Sequence, residues 1–236
     1  MLKFKRCVIK ISGEVLGGAS GFGIDMDVVA FVVDEVLKAY ELGAEVSIVV
    51  GGGNFIRGSK VAVKGIERVN SDRLGMISTI LNSITLSDTF TSRGVSSIVL
   101  SAIPVDGIAE KYSVEKALEY LSKRYILLLA GGTGNPFFST DTSAVLRAAE
   151  LQADVVLKAT KVDGIYDKDP MKYPDAKKFE EIDGNEVLLR NLKVMDLTAF
   201  SLSCESKIPI VVFNLMEKDV IRKIVSGEKV GTFVRV

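Results

Sequence analysis

Short runs of β-branched and aliphatic residues, each about the length of one strand, recur down this chain and alternate with longer amphipathic stretches. Cys7 to Ile11 is the first run. The pattern from Asp25 to Leu42 that follows keeps apolar residues on one helical face until Gly43 closes it, a strand and then a helix with a glycine stop. The alternation continues through a strand at Val46 to Val50, a helical region from Ser71 to Arg93, a strand at Ser97 to Leu100, a helix from Ser113 to Arg124, a strand at Ile126 to Leu129 and a helix from Thr140 to Gln152. Such a rhythm predicts a mostly parallel sheet with helices on both faces.

Past Leu151, a strand at Val155 to Lys158 runs into a long polar loop, Thr160 to Pro174, rich in Asp, Lys, Gly and Pro; loops of that length usually serve a function. Helices are expected at Gly184 to Leu192, Leu197 to Ser206 and Lys218 to Ser226, and strands at Ile210 to Phe213 and Thr232 to Val236. No composition break separates these parts, so the expectation is one α/β domain with two lobes, the first about 1–150 and the second about 151–236. At 236 residues the chain is long enough to bury roughly 70–75% of its unfolded surface.

Several chemistries are excluded. With 30 basic and 30 acidic side chains, no long-range field favours nucleic acid or an anionic membrane, so an anionic ligand must be held by local geometry. Histidine is absent, which removes Ser-His-Asp and Cys-His schemes and most transition-metal sites, and the two cysteines, Cys7 and Cys204, are too few for a disulfide framework or a zinc cage. Met1 to Lys10 lacks the apolar run of a signal peptide, and no segment supplies the ~20 apolar residues of a membrane span. A cytoplasmic protein is the expectation.

Three glycine-bearing segments each follow an apolar strand: Lys10-Ile-Ser-Gly-Glu14, Gly51-Gly-Gly-Asn-Phe-Ile-Arg57 and Gly131-Gly-Thr-Gly-Asn-Pro-Phe-Phe-Ser-Thr-Asp141. In an open α/β sheet such strand-end loops line the ligand crevice, and glycine lets main-chain N–H groups approach a phosphate closely. None matches G-x-x-x-x-G-K-[ST], and no G-x-G-x-x-G opens a helix after a strand, which disfavours P-loop and dinucleotide-binding assignments. Two readings stand for Lys10: an inward ammonium neutralised by an anion, or a strand end pointing to water. Arg57 is either a second cation for a moving phosphoryl group or a solvated loop charge. The glycines at 51–53 are a strained turn or a close approach to a ligand, the latter being the better explanation. Phe137 and Phe138 are core packing or the wall of a site for a flat base.

At these residues the chain resembles the bacterial UMP kinases (uridylate kinases) of the amino-acid-kinase fold family, over nearly its whole length. The resemblance is carried by Lys10-Ile-Ser-Gly-Glu14, Gly21-Phe-Gly-Ile24, Gly51-Gly-Gly-Asn54 with Arg57, Ser101-Ala-Ile-Pro104, Gly134-Asn-Pro-Phe-Phe138, Asp154-Val-Val-Leu-Lys-Ala-Thr-Lys-Val-Asp-Gly164 and Lys193-Val-Met-Asp-Leu197. Any one of these is weak; seven in the right order are specific.

The resemblance implies a three-layer α/β/α sandwich and transfer of the γ-phosphate of ATP to UMP, in pyrimidine nucleotide biosynthesis. It implies that Lys10, Ile11, Ser12, Gly13, Gly53 and Arg57 meet the ATP phosphates, with Thr160, Tyr166 and Asp169 at the nucleoside end of ATP. Gly52, Asp72, Thr133, Gly134, Asn135, Pro136, Phe137, Phe138, Ser139 and Thr140 are implied for UMP. Asp141 and Asp196 join Lys10 and Arg57 as catalytic candidates, organisers of the cations; each also precedes an apolar helical run and so fits a helix N-cap. Gly18, Ala19, Ser20, Gly21, Phe22 and Gly23, on sequence a flexible loop, correspond to the segment associated with GTP activation. A homohexamer, inhibition by UTP and Mg2+ delivered with ATP, with no metal site on the protein, are implied too. Ser71 to Arg93 is the candidate for subunit contact, because its apolar residues need covering. The rivals are a kinase of the same fold acting on a carboxylate or carbamate, and a catalytically silent nucleotide sensor.

Overall fold

The computed structural model describes residues 2–56, 65–190, 192 and 194–236. Arg57 and Lys193, both named above, lie outside the described residues. In chain order the elements are β1 (Arg6–Ile11), α1 (Gly13–Leu16), α2 (Met26–Glu41), β2 (Glu45–Val50), α3 (Arg68–Ser92), β3 (Ser97–Ser101), β4 (Glu110–Lys111), α4 (Val114–Ser122), β5 (Ile126–Ala130) and α5 (Thr140–Glu150), then β6 (Val155–Thr160), β7 (Glu181–Asp183), α6 (Gly184–Leu189), α7 (Leu197–Ser206), β8 (Ile210–Asn214), α8 (Val220–Ser226) and β9 (Thr232–Arg235). Among the described residues the nine strands form one sheet in the order β4-β3-β5-β2-β1-β6-β8-β9-β7. Every pairing is parallel except β8 with β9.

The period of two along each strand divides the side chains between two cores. Cys7, Ile9, Ile11, Val46, Ile48, Leu157 and Phe213 face α2, α3 and α8, whereas Val8, Val49, Leu127, Leu129, Val156 and Val212 face α4, α5 and α7. Strands covered on both faces explain the near-continuous apolar runs read from the sequence. Each fully buried Val or Ile contributes on the order of 1.5–3 kcal/mol of transfer free energy, so the central strands are the fixed part of the molecule.

That parity decides the position of Lys10. It shares a face with Val8, and β1 lies beside β6 in a register that sets Lys10 opposite Lys158. Both lysines stand near the carboxyl ends of central strands, on the side where α5 packs across β1 and β2. The two shortest strands, β4 and β7, and the single turn of α1 were not expected from the sequence, because two to four residues carry no measurable period. Among the described residues no helix is long and apolar enough to cross a membrane.

Candidate active site

The Lys10 side chain is 12% exposed and points inward, so its reading as a solvated strand end is overturned. Its Nζ lies 2.8 Å from Asp141 Oδ1, and Lys158 Nζ lies 2.7 Å from Asp141 Oδ2. Only the Lys158 contact has hydrogen-bond alignment; Asp141 Oδ1 accepts no aligned bond, so the Lys10 contact is chiefly coulombic. Two ammonium groups from adjacent strands thus share one carboxylate. Burial pushes the Asp141 carboxyl up, but Lys10 and Lys158 outweigh it and hold it below the ordinary value. Burial draws Lys158 below the usual lysine range, with Lys10 adding to that and Asp141 and Asp196 opposing it.

Asp141 does not cap its helix. Ser139 holds the N-cap position of α5 and its Oγ accepts from the N–H groups of Asp141 and Thr142, which leaves the Asp141 side chain free to turn to the lysines. Asp196 does cap α7, accepting from Ala199 N at 3.0 Å, and its carboxylate also takes the hydroxyls of Ser139 and Thr142. Asp196 therefore ties the first turn of α7 to the first turn of α5.

The strand-end loops meet here. Gly51 N donates to Ile11 O, and a Cβ on Gly13 would fall 2.3 Å from Gly51 O, so the loops after β1 and β2 touch main chain to main chain. A Cβ on Gly52 would fall 2.6 Å from Gly75 O and from Ser78 Cβ of α3. Glycines 51 to 53 have no left-handed φ among them, which corrects the strained-turn reading; at Gly51 and Gly52 the protein's own backbone comes close, and Gly53 is open, with Glu14 Cγ nearest at 3.4 Å. A buried amide pair clamps this loop: Asn82 Nδ2 donates to Gly51 O and Asn54 Oδ1, and Asn54 Nδ2 donates to Asn82 Oδ1 and Gly23 O.

Gly52, Asp72, Thr133, Phe138 and Thr140 line one cavity, together with Ser71, Met76, Thr79 and Gly132. Phe137 and Phe138 are at least half exposed, which overturns the core-packing reading. Phe137 has a left-handed φ of 72°, rare outside glycine, and its N–H donates to Asp72 Oδ2 at 2.8 Å. Gly134, Asn135 and Pro136 face a separate hollow beside Arg73 and Ile77. Across Phe138, a wider cavity of about 620 Å³ opens between α5 and α7.

Thr160 ends β6, two residues past Lys158, and its hydroxyl donates to Val162 O; Tyr166 donates to Asp163, and Asp169 accepts from Met171 N. Ile11 is buried at the end of β1, and Ser12 precedes α1. Gly18 to Ser20 form a turn of 3-10 helix; Ser20 donates to Gly17 O, and Gly23 is bonded through both N–H and C=O to Asn54, so the segment is organised rather than a plain loop. Sequence reasoning missed Lys158. Its signal, a cation inside Val-Val-Leu-Lys-Ala-Thr, was the same as that of Lys10, but the register that pairs the two is not written in either segment.

Comparison with known proteins agrees with this arrangement. The profile of the amino acid kinase family matches residues 5–214. Among solved structures, the chain is similar to the UMP kinase from Bacillus anthracis, with 38% identity, a TM-score of 0.95 and coverage of 98% of this chain and 96% of that one. It is similar to the UMP kinase from Ureaplasma parvum, with 36% identity, a TM-score of 0.93 and coverage of 98% and 99%. The uridylate kinase from Archaeoglobus fulgidus is 29% identical, with a TM-score of 0.73 and coverage of 97% and 99%.

Proposed function

The chain belongs to the amino acid kinase family, and we propose that it transfers the γ-phosphoryl group of MgATP to UMP, giving ADP and UDP. The observation that carries this reading is the pair of strand-borne lysines held by Asp141 beside a cavity that Asp72 and Phe138 line. Likeness over nearly the full length to two UMP kinases at 36–38% identity supports the choice of acceptor.

The acceptor phosphate is already an oxygen nucleophile near neutral pH, so the reaction needs no strong general base, which suits a chain without histidine. A UMP phosphate oxygen attacks the γ-phosphorus in line. The new P–O bond forms as the bond from the γ-phosphorus to the β–γ bridging oxygen breaks, and no phosphoenzyme intervenes. The ammonium groups of Lys10 and Lys158 neutralise charge on the group in flight, and Asp141 keeps both at one place before substrate arrives. Arg57 is assigned a third cationic contact by family likeness. Magnesium enters with the nucleotide, held largely by phosphate and water oxygens. Asp141 turns its oxygens to ammonium groups, and Asp196 is engaged by two hydroxyls and a main-chain N–H.

The acceptor is assigned to the first lobe, about 1–150, and the adenosine of ATP to the second, about 151–236, near Thr160, Tyr166 and Asp169. A role in pyrimidine nucleotide biosynthesis, cytoplasmic location, a homohexamer, GTP activation at Gly18 to Gly23 and UTP inhibition complete the reading. The Asn54 bonds to Gly23, which join that segment to the loop after β2, are consistent with such regulation. A panel of nucleoside monophosphates, aspartate, glutamate and N-acetylglutamate, scored for ATP-dependent ADP release, tests it: UMP should be the preferred acceptor, and preference for a carboxylate would overturn it. In the same assay Lys10→Ala and Lys158→Met should each lower kcat on the order of 10²-fold; full turnover in either folded variant removes that lysine from the mechanism.

A further inference from the structure

Arg68 opens α3, and its Nε donates to both oxygens of Asp72, one helical turn on, at 2.8 Å. Asp72 Oδ2 also accepts the Phe137 N–H from across the cavity, and the Arg68 guanidinium lies 5.5 Å from the centre of the Phe137 ring. An exposed pair four residues apart on a helix is ordinarily worth little and explains nothing about function. This pair differs in what its carboxylate does. The Asp72 side chain is 13% exposed against 48% for Arg68, it lines the acceptor cavity, and it is fixed from two elements at once. A carboxylate offers about four acceptor positions. Oδ2 has two filled, and Oδ1, with one filled, keeps a lone pair for a ligand hydroxyl.

We propose that Arg68 is a positioning residue, which locks the rotation of the Asp72 carboxylate so that Oδ1 is presented to the sugar hydroxyls of the acceptor. Recognition of the sugar then depends on a residue outside the cavity lining. The proposal rests on the nucleotide acceptor assigned above. A carboxylate that must be ordered as substrate binds loses affinity to that ordering, whereas one already held does not. Sugar discrimination is where the loss appears, because only ligands with hydroxyls gain from the fixed Oδ1.

The test compares UMP, 2′-deoxy-UMP and 2′,3′-dideoxy-UMP in the full-length wild type, Arg68→Ala, Arg68→Lys and Asp72→Asn. In Arg68→Ala the kcat/KM preference for UMP over the dideoxy acceptor should shrink by about tenfold, through KM for UMP, with kcat and KM for ATP little changed. Arg68→Lys keeps the charge but not the planar Nε donor and should follow Arg68→Ala. In an Asp72→Asn background, Arg68→Ala should have no further effect on the preference. Wild-type discrimination in Arg68→Ala or Arg68→Lys overturns the inference. Absence of any UMP turnover by the wild type would instead overturn the proposed function, so the two failures are distinct.

Discussion

Lys10 and Lys158 would each cost several kcal/mol to hold as lone cations so far from water, and it is Asp141 that makes the pair tolerable. The same three groups make stability depend on pH. The two ammoniums hold the folded Asp141 carboxyl below its ordinary 3.8. The folded protein therefore binds fewer protons there than the unfolded chain between those two values, and stability rises with pH across that window. The contribution of Asp141 is complete above the unfolded value and is lost as pH falls through the depressed folded one. Asp141→Asn has no such carboxylate to protonate. Its stability deficit against wild type, read from urea midpoints, should be constant near neutrality and narrow as the pH drops below 3.8. A deficit that does not change with pH would show that Asp141 does not ionise between the lysines. At neutral pH the same variant leaves two close ammoniums facing a neutral amide, so its turnover should also fall.

At the scale of elements, the start of the loop after β2, Gly51 to Asn54, packs directly on α3. A methyl group on Gly52 would strike the carbonyl of Gly75 and the Cβ of Ser78, both parts of a helix that cannot yield locally. Gly52→Ala should push the loop off α3 and strain the bond from Asn82 to Gly51 O, with a cost on the order of 1–3 kcal/mol. The loop borders the cavity that Asp72 and Phe138 line, so kcat/KM for UMP should fall further than Tm, by more than about 10²-fold, if that cavity takes the acceptor; wild-type kinetics in Gly52→Ala would mean the loop has no part in binding. The alternation of strands and helices was legible in the sequence because each central strand is buried on both faces and each helix keeps one apolar face. The convergence of the three glycine loops was legible too, since parallel strands put all their following loops at one edge. What could not be read was relational: that Ser139 rather than Asp141 caps α5, that Lys158 lies opposite Lys10, and that Arg68 reaches Asp72 while Asp72 reaches Phe137. The pairing of the lysines and the reach of Asp72 to Phe137 depend on register or packing between segments far apart in the chain, which no local pattern encodes; the Ser139 cap and the Arg68–Asp72 pair are local, but Ser139, Thr140 and Asp141 are competent caps side by side and an i,i+4 ion pair on a helix marks no site by itself.

For the molecule as a whole, α3 mixes two patterns: Met76, Ile80, Leu86 and Phe90 are buried as in an ordinary amphipathic helix, but polar residues share the buried side and aliphatic ones stand outside. Ser71, Ser78, Thr79, Asn82, Ser83 and Thr89 are buried against the rest of the protein, while Ile77, Leu81 and Ile84 point outward at spacings of four and three. The buried hydroxyls are satisfied within the helix: Ser78 donates to Leu74 O, Ser83 to Thr79 O and Thr89 to Thr85 O. That lets small polar residues pack closely on β3 and β5 without unpaired groups. No such account explains three large aliphatic residues in a row on the water side, beside a groove of about 460 Å³ that Ile84 and Ile108 also line. A contiguous apolar stripe on a chain with zero formal charge favours association, and a second copy of the same helix across a two-fold axis would be a self-complementary cover. Leu81 is 45% exposed, so Leu81→Glu should leave the circular dichroism spectrum and the fold of each subunit intact. In sedimentation velocity, however, the wild type should run as an assembly and Leu81→Glu as smaller species, because a carboxylate would be buried on both sides of the axis at once. Equal sedimentation of the two proteins would mean that α3 is not the contact, and the outward aliphatic stripe would then have to be covered by something other than a second copy.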